Sequence, residues 1–290
     1  MAQSEMRLER TFQERNLAGK KTLVAYLCVG DPSVEESVDL ALACVAAGAD
    51  VLELGVPFSD PTADGPAIAR ASQRAIAAGS GLGATLRAAK AIRAKTNAPL
   101  VLFGYYNPLF VRGEERAVDD AADAGVDALL VVDLPLGEGR ALRERAKEKN
   151  IAVVPLLTPT SSEERVAQAR DGSKVYPAGF IYYVSVTGVT GSAAAPLDDA
   201  SRAAASLRER IGLPAVVGFG IDSAEKARAA AAHADGIVVG TALVRRIEEG
   251  ATPEARKTAV VSLIRTLREA LDGDPLEAAD LSRRGAQGRT

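Results

Sequence analysis

The sequence predicts an α/β fold of the (β/α)8 class, the TIM barrel, as a single domain. Eight short apolar runs rich in branched residues are each followed by a helical pattern. Their starts recur about every 31 residues, the length of one strand and helix unit. The runs are nearly continuously apolar, which is typical of parallel strands covered by helices. Eight such units in roughly 250 residues are the content of a barrel.

The predicted elements follow one another in strict alternation. Strands are expected to begin near Thr22, Val51, Pro99, Ala128, Ile151, Phe180, Ala215 and Gly236. Helices are expected over residues 34–47, 83–95, 114–124, 139–149, 162–170, 197–210, 224–234 and 253–271. Pro66 is suited to begin a further helix after the second strand, and an extra helix is expected at the amino terminus.

The alternative within the α/β class is a doubly wound open sheet. Against it, the glycine-rich Gly79-Ser-Gly-Leu-Gly83 follows a helix instead of a strand, so it does not fit a dinucleotide-binding turn. No Walker-type sequence occurs. We therefore predict a barrel domain over residues 1–272 and a polar, disordered tail over 273–290.

Composition excludes several classes of function for the 290-residue chain. The net charge is −3 and no basic and aromatic interleaving is present, so neither nucleic acid nor an anionic membrane is an expected partner. The absence of an 18-residue apolar run and of a signal-like amino terminus predicts a protein that is not membrane-spanning or secreted. Cys28 and Cys44 lie in apolar runs and are expected to be buried thiols in a reducing compartment, the cytoplasm.

The second predicted strand places a carboxylate inside the barrel. Alternation puts Val51, Glu53 and Gly55 on one face of this strand and two leucines on the other. A buried, unpaired glutamate has a raised pKa and is costly, so it persists mainly where a reaction uses it. Asp64 follows in the loop before Pro66. It is either a second catalytic carboxylate or a turn residue, and a purely structural role for Glu53 also stays open.

Three successive glycine-containing loops predict a phosphate site at the end of the barrel where active sites form. They are Thr187-Gly-Val-Thr-Gly191, Val217-Gly-Phe-Gly-Ile221 and Val239-Gly-Thr-Ala242, after the sixth, seventh and eighth strands. Glycine lets backbone amides approach an anion, and a helix that starts there adds unsatisfied donors. The small residues at 192–195 suggest a lid that closes over the site.

The residue inventory narrows the chemistry further. No predicted strand contains lysine, which argues against a Schiff-base aldolase, and one histidine, His233, with two apolar cysteines argues against a catalytic metal. Acid and base chemistry by carboxylates and tyrosines on a phosphorylated substrate remains. Tyr26, Tyr105 and Tyr182 lie on or at the ends of strands, either as active-site groups or as packing aromatics.

The motifs, in their residues and in their order along the chain, resemble those of the tryptophan synthase alpha subunit family. The resemblance covers most of the chain, roughly residues 12–271. It rests on the segment from Leu52 to Pro66 together with Cys28-Val-Gly-Asp-Pro32, Tyr105-Tyr-Asn-Pro108, Val132-Asp-Leu-Pro135, Val184-Ser-Val-Thr-Gly-Val-Thr-Gly191 and the loops at 217–221 and 239–242.

The resemblance implies a lyase of tryptophan biosynthesis that cleaves indole-3-glycerol phosphate into indole and glyceraldehyde 3-phosphate. It implies that Glu53 and Asp64 are the catalytic carboxylates. The family's remaining substrate contacts fall on Tyr26, Tyr105, Tyr182, Thr190, Gly191, Gly220, Gly240 and Thr241. No cofactor or metal is then expected on this chain.

The resemblance also implies a partner, a beta subunit that holds pyridoxal phosphate and joins the chain in an alpha2beta2 heterotetramer. The polar and proline-containing loops after the second, third and fourth strands predict the interface, at Asp60, Pro61, Asn107, Pro108 and Pro135. Three positions, Ala69, Val186 and Thr241, depart from what many members have. A partner-binding module with weak activity alone, a stand-alone indole producer and a barrel for another aldol-type substrate remain alternatives.

Overall fold

The structure, a computed structural model, describes residues 6–184, 197–218 and 220–273. Its strands are β1 Thr22–Cys28, β2 Val51–Gly55, β3 Leu100–Gly104, β4 Ala128–Val131, β5 Ala152–Val153, β6 Leu156–Leu157, β7 Ile181–Val184, β8 Ala215–Gly218 and β9 Gly236–Val239. Its helices are α1 Arg7–Leu17, α2 Val34–Ala46, α3 Pro66–Ala77, α4 Leu82–Arg93, α5 Tyr106–Arg112, α6 Glu114–Asp123, α7 Arg140–Glu148, α8 Glu163–Ser173, α9 Leu197–Ile211, α10 Ala224–Ala231, α11 Thr241–Glu249 and α12 Pro253–Asp272.

The strands form one parallel sheet that closes on itself, which confirms the predicted barrel. Its order is β5-β4-β3-β2-β1-β9-β8-β7-β6. The strands at its two ends, β5 and β6, belong to one predicted run that is interrupted at Pro155, which lacks an amide hydrogen. Val154 donates to Leu129 of β4 at 2.9 Å, and the carbonyl of Pro155 accepts from Tyr182 of β7 at 3.0 Å. One chain segment therefore joins both edges of the sheet.

Apolar side chains form two layers, one inside the barrel and one between the sheet and the helices. Along β2, Val51 belongs to the inner cluster, whereas Leu52 and Leu54 pack outward against the helices. This confirms the predicted alternation and turns Glu53 inward. The predicted amino-terminal helix is present as α1, and its Leu8 and Phe12 are fully buried in the inner cluster. The helix thus covers the amino-terminal end of the barrel.

The segment that begins at Tyr106 differs from its prediction. The sequence Tyr105-Tyr-Asn-Pro108 suggests a turn, but Tyr106–Arg112 is the helix α5. A side-chain oxygen of Asp133 accepts from the backbone amide of Tyr106 at 2.7 Å and so satisfies one donor at the helix start. Pro108 is tolerated because it lies in the first turn, where the amide has no partner within the helix.

Two further findings concern membrane spans and the carboxyl-terminal end of the described chain. Within the described residues, no helix combines the length and apolarity that a membrane span requires. Helix α12 ends at Asp272, where the predicted domain also ends. The tail predicted for 273–290 lies outside the described residues except for Gly273, so its disorder stays a prediction.

Candidate active site

A cavity of about 240 Å³ opens at the carboxyl-terminal ends of the strands. Apolar side chains from several strands form much of its wall, and a few polar side chains complete it. Its wall includes Tyr26, Asp64, Ile68, Phe103, Val132, Leu156, Thr158, Tyr182, Gly218, Gly220, Ile221, Val238, Gly240 and Thr241. A mostly apolar cavity with a few polar groups is the usual form of a small-molecule site.

Glu53 lies on the inner face of β2 with no exposed surface. Strand pairing places Tyr26 of β1 and Val101 of β3 on either side of it. Neither carboxylate oxygen has a hydrogen-bond partner in the part of the chain that the structure describes. Burial without a partner raises the pKa of Glu53 to about 8. At neutral pH this carboxyl group therefore holds a proton that it can donate.

Asp64 lies in the loop between β2 and α3 and forms part of the cavity wall. Burial raises the pKa of Asp64 to about 6, and a hydrogen bond from Tyr105 opposes this increase. Asp64 is therefore mostly ionised at neutral pH, while Glu53 is mostly protonated. Two carboxyl groups whose environments separate their pKa values can act as acid and anion in the same reaction.

Tyr105 does not line the cavity, unlike Tyr26 and Tyr182. Its hydroxyl accepts a hydrogen bond from the backbone amide of Ala63 at 2.9 Å and bonds to the side chain of Asp64. Its ring stacks on Phe58 with 5.0 Å between the centroids. The resemblance implied a substrate contact at this position. That contact stays a prediction, and the structure adds that Tyr105 is bonded to the loop that carries Asp64.

Two glycines make room for the tyrosines of the cavity. A Cβ atom at Gly55 would overlap the hydroxyl of Tyr26, and one at Gly218 would overlap the hydroxyl of Tyr182. Each tyrosine therefore leans over a glycine on the adjacent strand. Sequence reasoning gave Gly55 no role and counted Gly218 among the phosphate-loop glycines, although an inward-facing glycine within a strand is a signal of close approach by another group.

Another part of the cavity wall presents backbone amides. Gly240 and Thr241 stand at the start of α11, and Gly220 has a positive φ of +70° in the preceding loop. No lysine or arginine lines the cavity within the described residues. An anion would there meet the unpaired amides and the positive end of the α11 dipole. Thr190, Gly191 and Val186 lie outside the described residues, as does the lid suggested at 192–195.

The residues predicted for a partner interface lie on the surface near this end of the barrel. Asp60, Asn107 and Pro135 are exposed, whereas Pro61 and Pro108 are half-buried. Sequence reasoning missed two neighbours on α5, Phe110 and Val111, whose side chains are 60% and 77% exposed. A signal was present, because residues 109–111 are consecutive apolar residues and one helix face cannot bury all three.

In the described chain, neither a metal-binding group of side chains nor a thiol lines this cavity. No group of three or more His, Cys, Asp or Glu side chains is arranged to hold a metal ion there. Cys28 and Cys44 are buried free thiols, as predicted, and burial raises the pKa of each to about 12. His233 follows α10 on the surface, away from the cavity wall.

Known proteins with the same sequence pattern and fold agree on one family. The family model described as tryptophan synthase alpha chain matches residues 12–272. The alpha chain of Geotalea daltonii is 48% identical over 244 residues, which are 84% of this chain and 90% of that protein. The alpha chain of Geobacter sulfurreducens is 42% identical over 265 residues, or 91% and 98%.

Solved structures give the same result. The crystal structure of tryptophan synthase subunit alpha from Legionella pneumophila has a TM-score of 0.83 and 33% identity, and the match covers 93% of this chain and 99% of that one. A chain of the aminoacrylate-bound tryptophan synthase of M. tuberculosis has a TM-score of 0.79 and 31% identity, over 92% and 100%. The chain belongs to the tryptophan synthase alpha chain family.

Proposed function

We propose that the chain cleaves indole-3-glycerol phosphate into indole and glyceraldehyde 3-phosphate, with Glu53 and Asp64 as its catalytic residues. The reaction makes it a carbon-carbon lyase of tryptophan biosynthesis. The observation that supports this most directly is a cavity whose wall holds the ionised Asp64 and an anion-binding end, with the protonated Glu53 buried on β2 next to Tyr26, which lines the cavity. These are the groups that a retro-aldol cleavage of a phosphorylated indole requires.

The substrate is bound at both ends of the cavity. Its phosphate accepts hydrogen bonds from backbone amides near Gly220, Gly240 and Thr241, beside the start of α11. Thr190 and Gly191 are proposed to add contacts from the preceding loop. The indole ring lies among the apolar side chains, including Phe103 and Leu156.

Cleavage follows from proton transfers by Glu53. Glu53 donates its proton to C3 of the indole ring, which makes the ring nitrogen positively charged, and the Asp64 carboxylate stabilises that charge. Glu53 is now ionised and removes the proton from the glycerol hydroxyl next to the ring. The carbon-carbon bond then breaks as the aldehyde forms, and its electron pair returns to the ring as neutral indole. The ring accepts the electrons, so these steps need neither a lysine nor a metal ion.

A beta subunit is the proposed partner, in an alpha2beta2 heterotetramer located in the cytoplasm. Pyridoxal phosphate is expected on that subunit, and no cofactor is proposed for this chain. The exposed apolar pair Phe110 and Val111 supports a docking surface beside Asn107 and Pro108, with Asp60, Pro61 and Pro135 on the neighbouring loops. The partner role and the catalytic role are compatible, because none of these residues lines the cavity.

Glu53→Gln tests the catalytic proposal. The amide keeps the shape of the side chain but cannot transfer a proton, so indole formation should fall at least about 10²-fold. Glu148→Gln, which changes an exposed glutamate on α7, is the matched control. Both proteins should be assayed in the presence of a chelator, with folding checked by circular dichroism. Full cleavage by a folded Glu53→Gln protein would remove Glu53 from the mechanism.

The phosphate end is tested by a substitution in the glycine loops. Gly240→Val should weaken binding of glycerol 3-phosphate, since a branched side chain there would lie against Tyr26 and keep the phosphate from the start of α11. Gly137→Val, at a glycine with open space around it, serves as the control. Calorimetric titration with glycerol 3-phosphate measures the difference, and equal affinities would place the phosphate elsewhere.

A further inference from the structure

We infer that Arg74 is a positioning residue that sets the separation between the two ends of the substrate cavity, by joining helix α3 to helix α11. The inference rests on the proposed binding of substrate between Asp64 and the start of α11. It also gives a role to the motif Cys28-Val-Gly-Asp-Pro32, which the carboxylate chemistry does not use.

Arg74 forms ion pairs in two directions at once. Its Nε and Nη2 donate to the two carboxylate oxygens of Asp31, each at 2.8 Å, and its Nη1 donates to Glu248 at 2.7 Å. Arg70, one turn earlier on α3, donates to both oxygens of Glu248 at 2.8 Å. The loop after β1, helix α3 and helix α11 are therefore joined through one guanidinium group.

Both helices begin at the cavity. Helix α3 starts at Pro66, two residues after Asp64, and α11 starts at Thr241 in the anion-binding end. Arg74 and Glu248 lie about two helical turns behind these starts, roughly 10–12 Å along each axis. Between the ion pairs and the cavity, Ala71 of α3 and Val244 of α11 pack in one buried cluster. A tilt of either helix at the ion pairs would shift Asp64 relative to the phosphate site.

The geometry is more specific than that of an ordinary surface ion pair. Asp31 is 3% exposed, and the paired forks of arginine and carboxylate fix both distance and orientation. A lysine at position 74 keeps the charge but cannot bond to both Asp31 oxygens and to Glu248 in this arrangement. Arg74→Lys should therefore loosen the link between the two helices while the charge is retained.

The chain also contains a matched control. Arg145 of α7 forms the same kind of forked pair, with Asp119 of α6, and also contacts Glu148. Helices α6 and α7 contribute no residue to the cavity wall. Arg145→Lys thus makes the same chemical change at a place from which the cavity should not be affected.

The experiment measures kcat and KM for cleavage, the affinity for glycerol 3-phosphate and the midpoint of thermal unfolding. For Arg74→Lys we expect kcat to fall about tenfold, because a misplacement near 1 Å can cost up to about 10²-fold. Affinity for glycerol 3-phosphate should stay within about twofold, since none of the proposed phosphate contacts lies on α3. Arg145→Lys should keep the parent kcat. A merely structural role of Arg74 would lower the midpoint and leave kcat unchanged.

Two additional variants keep the outcome decisive. Glu248→Gln preserves the shape of the side chain while it weakens both pairs of α11, and it decides the question should Arg74→Lys not fold. Parent values of kcat in Glu248→Gln and in any folded Arg74→Lys would overturn the positioning role.

Asp64→Asn tests the proposed site separately. An inactive Asp64→Asn beside a fully active Arg74→Lys refutes only the inference about Arg74, whereas an active Asp64→Asn refutes the proposed function.

Discussion

Burial of Glu53 lowers the stability of the folded chain by an amount that depends on pH. Its pKa is about 8 in the folded chain and near 4.5 for an ordinary glutamate, so between these values the folded state binds more protons than the unfolded state. Stability must then decrease as pH rises through this window. Below the lower value both states are protonated and the cost vanishes, and above the higher value the cost is complete.

Glu53→Gln should therefore be more stable relative to the parent at high pH than at low pH. The difference in free energy of unfolding between the two proteins should grow by on the order of 2–4 kcal/mol from pH 5 to pH 8. Urea titrations at several pH values measure it, with Glu148→Gln as the control. A difference that does not change with pH would show that Glu53 is ionised, or solvated, in the folded protein.

Tyr105 acts on the second carboxylate through its hydroxyl. Because the hydrogen bond from Tyr105 lowers the pKa of Asp64, Tyr105→Phe should raise that pKa above its present value of about 6. The acid limb of the profile of kcat/KM against pH should move to higher pH, and activity near pH 6.5 should fall about tenfold. Tyr176→Phe, which removes an exposed tyrosine hydroxyl, is the control. An acid limb at its original position would contradict the assignment.

At the level of elements, three aspartates connect neighbouring strands at the amino-terminal end of the barrel. Each directly precedes a strand, accepts a hydrogen bond from a backbone amide at or just after the start of an adjacent strand and pairs with arginine. Asp50 accepts from Leu23, Asp127 from Leu100 and Asp235 from Ala215, each at 2.8 Å. The pattern Ala-x-x-Asp recurs in the sequence at 47–50, 124–127 and 232–235. This end of the barrel therefore supplies stability, and the opposite end supplies the site.

Asp127→Ala tests the contribution of these aspartates. The substitution leaves the amide of Leu100 and the guanidinium groups of Arg7 and Arg93 without this carboxylate, which is 7% exposed. The free energy of unfolding should fall by about 3–5 kcal/mol. Asp119→Ala removes a more exposed carboxylate that pairs only with side chains, and its effect should be much smaller. Equal losses in the two variants, measured by urea unfolding, would contradict a special role of Asp127.

The elements also show which features a sequence can predict. Period-2 alternation places Glu53 correctly, because the side chains of a strand have only two faces to choose from. The helix α5 is missed, because its first turn depends on Asp133, which is distant in sequence. The bonds of Tyr105 to Ala63 and Asp64 are not predicted for the same reason, since they join two separate loops. Local patterns predict elements, whereas contacts between loops need the assembled barrel.

For the whole molecule, the location of the exposed apolar pair on α5 suggests how binding of a partner and cleavage are connected. Helix α5 begins immediately after Tyr105, and Tyr105 bonds to the loop that contains Asp60 and Asp64. A partner that covers Phe110 and Val111 thus docks one turn away from a residue that positions Asp64. If the partner binds one position of α5 more tightly than another, the difference in binding free energy shifts α5 toward that position. Asp64 then moves with it, and the cleavage rate changes.

We therefore predict that replacing both Phe110 and Val111 by serine weakens binding of the beta subunit while cleavage by the isolated chain stays within about twofold of the parent. Apolar side chains at the centre of an interface contribute most of its affinity, so the dissociation constant should rise about 10- to 100-fold. Val175→Ser, at an apolar residue that is 50% exposed and outside α5, should leave it unchanged. Asp60→Ala should reduce binding or the activation that it causes, again with little effect on the isolated chain. Titration with beta subunit while indole formation is followed measures both quantities. If the serine variant and Asp60→Ala both give the activation curve of the parent, the partner docks on another surface, and Tyr105 has no part in the coupling between the subunits.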